Sequence, residues 1–148
     1  MCIRDRRPCI LGGITLPHET GPLGHSDGDA VLHAITDAVL GAAGLDDLGT
    51  LFPDSDERWR GADSKALLAA AWQKVLDHGW KLANVDVVIV TEGPRIGPHR
   101  EAMRASIAEV LHTTSEQINL RGKSVEGLGS LAGGSAIQVQ AVCLLERD

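Results

Sequence analysis

Apolar and polar positions alternate in distinct periods along the chain, and each period predicts an element. Residues 9–16 (CILGGITL) read as a short apolar hairpin with Gly12-Gly13 at its turn. Residues 17–28 (PHETGPLGHSDG) are rich in Gly, Pro and Asp and predict a loop. A helix is expected from about residue 26 to 43, with Ser26 or Asp27 as N-cap and Gly44 as its stop. Val31, Leu32, Ile35, Val39 and Ala42 form its apolar stripe. Residues 45–62 predict a carboxylate-dense loop, and residues 63–78 a second helix ended by Gly79. The β-branched run at 85–91 (VDVVIVT) reads as a strand buried on both faces. A loop with two Gly and two Pro covers 92–98, and a third helix covers about 100–112. Residues 117–121 read as a strand, a Gly-rich loop follows, and 136–145 close the chain as an alternating strand.

The order is therefore strand, helix, helix, strand, helix, strand, strand. It predicts an α+β fold, an α/β sandwich with helices on one face of a small mixed sheet. In the last strand Ile137, Val139, Ala141 and Cys143 alternate with Gln138 and Gln140. The second sheet face is left free, which predicts an oligomer. A length of 148 residues suits one domain, and 43% hydrophobic residues supply a core. Aromatics are only 3%, so that core must be Leu, Val, Ile and Ala. The net charge of −6 and the lack of a basic stripe argue against nucleic acid as partner. No apolar run reaches the roughly 18 residues of a membrane span, and no signal peptide is visible. Cys2, Cys9 and Cys143 share no metal-type spacing and fit a reducing cytoplasm.

Candidate chemistry enters with His25, Asp29 and His33, spaced four apart and so expected on one helical stripe, with Asp37 one turn further. Two His eight residues apart cannot chelate one ion. One could bind metal while the other, at the helix start, meets an anion. Asp37 could orient the His33 ring from behind. A solvated polar helix face is the competing reading. Asp46, Asp47, Asp54 and Asp56 could accept sugar hydroxyls or hold a cation, although acidic loops are more often simply solvated. The EGPRIGP loop offers backbone groups to a flat ligand. KSVEG brings a cation, a hydroxyl and a carboxylate together as phosphate-cradling loops do. GKS is not a P-loop, because the earlier glycine is missing.

Taken in order, LGHSDGDAVLHAITDAVLGAAGLDDLGTLFPDSD, GADS, NVDVVIVTEGPRIGPHR and NLRGKSVEGLG resemble the 2-C-methyl-D-erythritol 2,4-cyclodiphosphate synthases of the non-mevalonate isoprenoid pathway. The resemblance covers residues 8–148 as one domain and leaves 1–7 as a foreign or truncated segment. It implies a chorismate-mutase-like homotrimer in the bacterial cytoplasm, with sites between subunits. It also implies cyclisation of 4-diphosphocytidyl-2-C-methyl-D-erythritol 2-phosphate with release of CMP. By position, His33 matches a metal ligand, and His25 and Ser26 match a pair on the phosphates, His25 also as transition-state stabiliser. Asp47, Leu48 and Gly49 fall at the ribose; Phe52, Pro53, Asp54, Ser55 and Asp56 fall beside the methylerythritol and diphosphate. Thr91, Glu92, Gly93, Pro94, Arg95, Ile96 and Gly97 correspond to the cytosine pocket. Lys123, Ser124, Val125 and Glu126 match a second phosphate loop, with Ser124 as catalytic hydroxyl and Glu126 as ligand of a second cation. The implied cofactors are zinc, with magnesium or manganese on the substrate diphosphate.

Three departures qualify these expectations. The family's Gly-x-Asp-x-His strand, which completes its zinc site, has no counterpart after Met1, and only Asp5 is at hand as a substitute. Ser130 and Gly133 replace a usual Phe and Arg facing the trimer axis, and Ser135 replaces a Glu. Weak or absent activity is therefore expected of this chain. The alternative reading is a degenerate, non-catalytic homotrimer that binds cytidine phosphates. Fusion to, or contact with, the cytidylyltransferase that precedes this step is a further partner reading.

Overall fold

The computed structural model describes Met1 and residues 3–147, with the side chains of residues 3–5 outside the described set. The Asp5 carboxylate, considered above as a substitute ligand, lies among those side chains. Two small hairpins come first. Strand β1 (Ile3–Asp5) pairs antiparallel with β4 (Thr20–Pro22), and β2 (Cys9–Leu11) pairs with β3 (Ile14–Leu16) around Gly12-Gly13. The β4 segment corrects the expectation of unbroken loop over 17–28. Then come α1 (Ala30–Ala42), the one-turn α2 (Leu48–Leu51), α3 (Ser64–Asp77), β5 (Lys81–Val90), α4 (Arg100–Val110), β6 (Ile118–Lys123) and β7 (Gln138–Glu146).

The main sheet is mixed, in the order β6-β5-β7, with β6 parallel and β7 antiparallel to the central strand. Its inner face buries Val85, Val87, Ile89, Ile118 and Leu120. Against that face lie Leu32, Ile35, Val39 and Leu40 of α1, Leu68 and Val75 of α3, and Met103 and Ile107 of α4, in one core. The Cys143 thiol on β7 donates to Ala38 O on α1 at 3.2 Å, which fixes the odd residues of β7 inward. The central strand is thus buried on one face only. Asp86, Val88 and Val90 lie on the outer face and stay half-exposed, correcting the two-sided burial read from composition.

Helix α1 starts later than its sequence suggests. Asp29, not Ser26 or Asp27, is the N-cap, and its carboxylate accepts from Val31 N and Leu32 N. An Asp cap satisfies N–H groups that the first turn leaves without partners. Asp27 is committed elsewhere: it accepts from Asp29 N at 3.1 Å and Ser64 N at 3.0 Å. At the other end Ala42 is exposed, whereas Leu40 completes the apolar stripe.

Candidate active site

The segment that delivers His25 and Ser26 is held by backbone bonds to a distant turn. Gly61 N donates to His25 O at 2.9 Å, and Asp27 N to Ala62 O at 3.1 Å. Arg7 reaches across from the chain start, donating to Gly24 O and Ser26 O, both at 3.3 Å. His25 therefore precedes the helix instead of sharing its stripe, and Asp29 is turned inward and fully buried. The expected His25–Asp29–His33 row does not form. His25 and His33 nonetheless line one cavity of about 400 Å³, together with Ser26, Leu48, Gly49, Phe52, Pro53 and Asp54. The Nε2 of His25 is buried without a hydrogen-bond partner among the described residues, and so is free for a ligand acceptor.

His33 is differently placed. Its Nε2 lies 2.9 Å from Ser26 Oγ and 3.1 Å from Ser64 Oγ. Ser64 gives its hydroxyl proton to Asp27, so its oxygen can only accept from His33. With these partners Nε2 acts as the donor, and a metal at that nitrogen would require the other tautomer of the neutral ring. Burial lowers the His33 pKa, against the fields of Asp27, Asp37 and Asp54, and favours the neutral ring. Among the described residues no three His, Cys, Asp or Glu side chains converge to hold a metal ion. A catalytic zinc commonly has three protein ligands, and the described residues do not supply that set. Asp37 does not orient the imidazole as expected. Its Oδ1 accepts from Leu48 N at 2.8 Å, and the hydroxyls of Ser26 and Ser64 meet the ring instead.

The acidic loop splits. Asp47 caps α2 by accepting from Thr50 N at 2.8 Å, and the Thr50 side chain, followed by this backbone bond, lowers its pKa. Asp56 accepts from Arg58 N and Nε, both at 3.0 Å, with the same effect on its pKa. Neither Asp47, Ser55 nor Asp56 lines the His25 cavity, although Leu48, Gly49 and Asp54 do. Trp59, which the motif reading did not single out, forms part of the wall and packs edge-on against Phe52 at 5.1 Å. Its only sequence signal is that a large aromatic is rare in this chain.

A second cavity of about 770 Å³ joins the two remaining loops. Thr91, Glu92, Pro94, Arg95, Ile96 and Gly97 form one wall, and Lys123 and Ser124 another. Arg100 and Arg121, also missed by motif reasoning, complete it. Arg121 pairs with Asp86, and Arg100 donates to Asn119 Oδ1 at 3.0 Å. Gly93 sits in the turn behind the wall, its N–H donating to Thr91 Oγ1 at 3.1 Å. Val125 and Glu126 lie beyond the cavity, and Glu126 Oε1 accepts from Ser124 Oγ at 3.0 Å. One carboxylate is enough for a cation whose other ligands are phosphate oxygens and water, as magnesium prefers.

Comparison with known proteins bears on the family of the chain. The sequence profile of the YgbB family matches residues 2–146. The 2-C-methyl-D-erythritol 2,4-cyclodiphosphate synthase of Dechloromonas aromatica is 50% identical over 143 residues, 97% of this chain and 89% of the relative. A synthase structure described as its CDP-bound form superposes with a TM-score of 0.89 at 41% identity, over 98% of this chain and 94% of that one. The bifunctional IspDF of Campylobacter jejuni superposes with a TM-score of 0.93 at 35% identity, over 99% of this chain but 40% of that one. With matched residues reaching from the first hairpin to the last strand, this chain belongs to the YgbB family, the 2-C-methyl-D-erythritol 2,4-cyclodiphosphate synthases.

Proposed function

We propose that this chain performs the family's cyclisation through two half-sites. The 2-phosphate of 4-diphosphocytidyl-2-C-methyl-D-erythritol 2-phosphate attacks the β-phosphorus, the bridging P–O bond breaks, and CMP leaves. No protein nucleophile is required, so the protein's contribution is positioning and charge neutralisation. The observation that carries this reading is the gathering of four separated sequence blocks onto two cavities. The first cavity offers His25 and Ser26 to phosphate, Leu48 and Gly49 with neighbouring Asp47 to the ribose, and Phe52 to Asp54 to the methylerythritol chain. Ser55 and Asp56 belong to that subsite through the loop they share. The second offers the 91–97 backbone to cytosine, and Lys123 and Ser124 to phosphate, with Glu126 for a magnesium or manganese ion on the diphosphate.

The two cavities are joined across a homotrimer interface in this reading. Val142 and Leu144 support it: they are 71% and 61% exposed on the outer sheet face, where a neighbouring subunit would cover them. Among the described residues no helix is long and apolar enough to cross a membrane, which agrees with a cytoplasmic enzyme. The bifunctional relative gives a precedent for fusion to the cytidylyltransferase. The relatives compared above are synthases by name, which favours the enzyme over a non-catalytic binder. With Nε2 of His33 engaged by two hydroxyls, zinc retention is expected to be poor and turnover slow. Metal content and CMP release on incubation with the substrate test both statements. Stoichiometric zinc with turnover equal to the Dechloromonas relative would refute the slow-enzyme reading. Failure to bind CMP at all would refute the family reaction for this chain.

A further inference from the structure

The nucleotide reading of the second cavity assigns Glu92 to the cytosine pocket, yet its carboxylate is engaged elsewhere. Oε1 of Glu92 accepts from Val125 N at 3.2 Å and from Gly127 N at 3.3 Å. Both donors belong to the loop that carries Ser124 and Glu126. In that loop Glu126 has φ of 54° and Gly127 of 72°, so two consecutive residues are left-handed. Left-handed turns direct backbone N–H groups into a concavity that attracts an anion. A left-handed glutamate also costs conformational energy unless its surroundings hold it there. The Glu92 carboxylate provides that hold. Beside it, Thr91 N donates to Lys123 O at 2.9 Å, so adjacent residues of one loop grip both ends of the other. Within the gripped loop, Glu126 N donates to Ser124 Oγ at 3.0 Å, and Ser124 Oγ donates to Glu126 Oε1 at the same distance.

We infer that Glu92 is a positioning residue rather than a base contact: its carboxylate is an internal anion that shapes the 124–127 loop and so sets Ser124 and Glu126 for a phosphate-bearing ligand. This rests on the proposed nucleotide site. The role is distinct from masking. A masking carboxylate would compete with phosphate for the two N–H groups, and its loss would tighten phosphate binding. A latch has the opposite sign.

The test uses the full chain and its Glu92→Ala and Glu92→Gln variants, titrated calorimetrically with CDP and with cytidine. Glu92→Ala is expected to weaken CDP about tenfold, the scale of lost hydrogen bonds to a charged group, while cytidine affinity stays unchanged. Glu92→Gln keeps an acceptor oxygen and should remain within about threefold of the parent. Equal losses for CDP and cytidine would make Glu92 a base contact, and tighter CDP binding would make it a mask; either overturns the latch. Amide resonances give an independent readout. The Val125 and Gly127 N–H signals should shift in Glu92→Ala, and unmoved signals would also overturn it. If the parent binds neither ligand, the nucleotide reading fails by itself, and the amide shifts alone still decide for or against the latch.

Discussion

Single carboxylates in this chain are sorted by what they accept. Asp29 is fully buried and takes four backbone N–H groups, from Gly12 at 3.0 Å, Gly13 at 2.7 Å, and Val31 and Leu32 at 3.0 Å. Burial still dominates and raises its pKa from 3.8 to about 6, with the field of Asp27 adding to the rise. The folded state therefore binds this proton more tightly than the unfolded one. The stability linked to it is complete below about pH 3.8 and lost as pH rises through about 6. Asp29→Asn has no such titration. The melting temperature of the parent minus that of the variant should fall as pH rises from 4 to 7. A difference that widens over that range would contradict the assignment. Asp27 does a different job, tying Ser64 N and Oγ to the segment before α1. Asp27→Ala should cost about 1–3 kcal/mol in urea denaturation, because Ser64 loses an ionised acceptor.

At the scale of elements, the β2–β3 hairpin shows how little space the turn has. Gly13 has φ of +76°, and a Cβ there would meet Ser106 Oγ at 2.4 Å and Lys65 Cε at 2.6 Å. Gly44, after α1, has φ of +73° but open space around it. Both Ala variants carry the left-handed backbone cost of about 1 kcal/mol. Gly13→Ala should cost about 1–2 kcal/mol more, since α4 must also give way. Thermal denaturation of the pair separates the two terms, and equal losses would show that the hairpin tolerates displacement. The elements themselves were largely readable. Helix α3 came out at Ser64–Asp77 between its Asp63 cap and Gly79, because its periodicity and both stop signals agree. Strand β5 begins at Lys81, four residues before the β-branched run that signals it in the sequence. Its first residues, Lys-Leu-Ala-Asn, have no β-branched side chain. Pairing with Leu145 and Glu146 of β7 carries the strand through them, past a bulge between Leu82 and Asn84.

For the whole molecule, the outer sheet face is the unsettled surface. Three rows of its residues, from Asn119-Asp86-Val142 to Lys123-Val90-Gln138, are open to solvent in the single chain. The proposed trimer predicts that Val142→Lys yields monomers in sedimentation with an unchanged far-UV spectrum. It also predicts weaker CDP binding, because each site would lose a neighbour's half. A variant that remains trimeric would place the interface elsewhere. Cys9 gives a check on the interior. Burial, reinforced by the Asp29 charge, pushes its thiol pKa up to about 11, so it should resist alkylation at pH 8 until the chain unfolds.

Sequence alone determined the fold class, the helix α3 boundaries, the hairpin turn and the family resemblance of the loop blocks. These are local properties: periodicity, caps and glycine positions act within a few residues of themselves. Tertiary structure decided what each named side chain does. His33 donates to Ser64 because Ser64's own proton is taken by Asp27, 37 residues away in the chain. Glu92 shapes a loop 33 and 35 residues beyond it, a partnership no spacing rule contains. Hydrogen bonds assign a donor to each acceptor only once the chain has brought them within about 3 Å, and that geometry is a property of the folded whole.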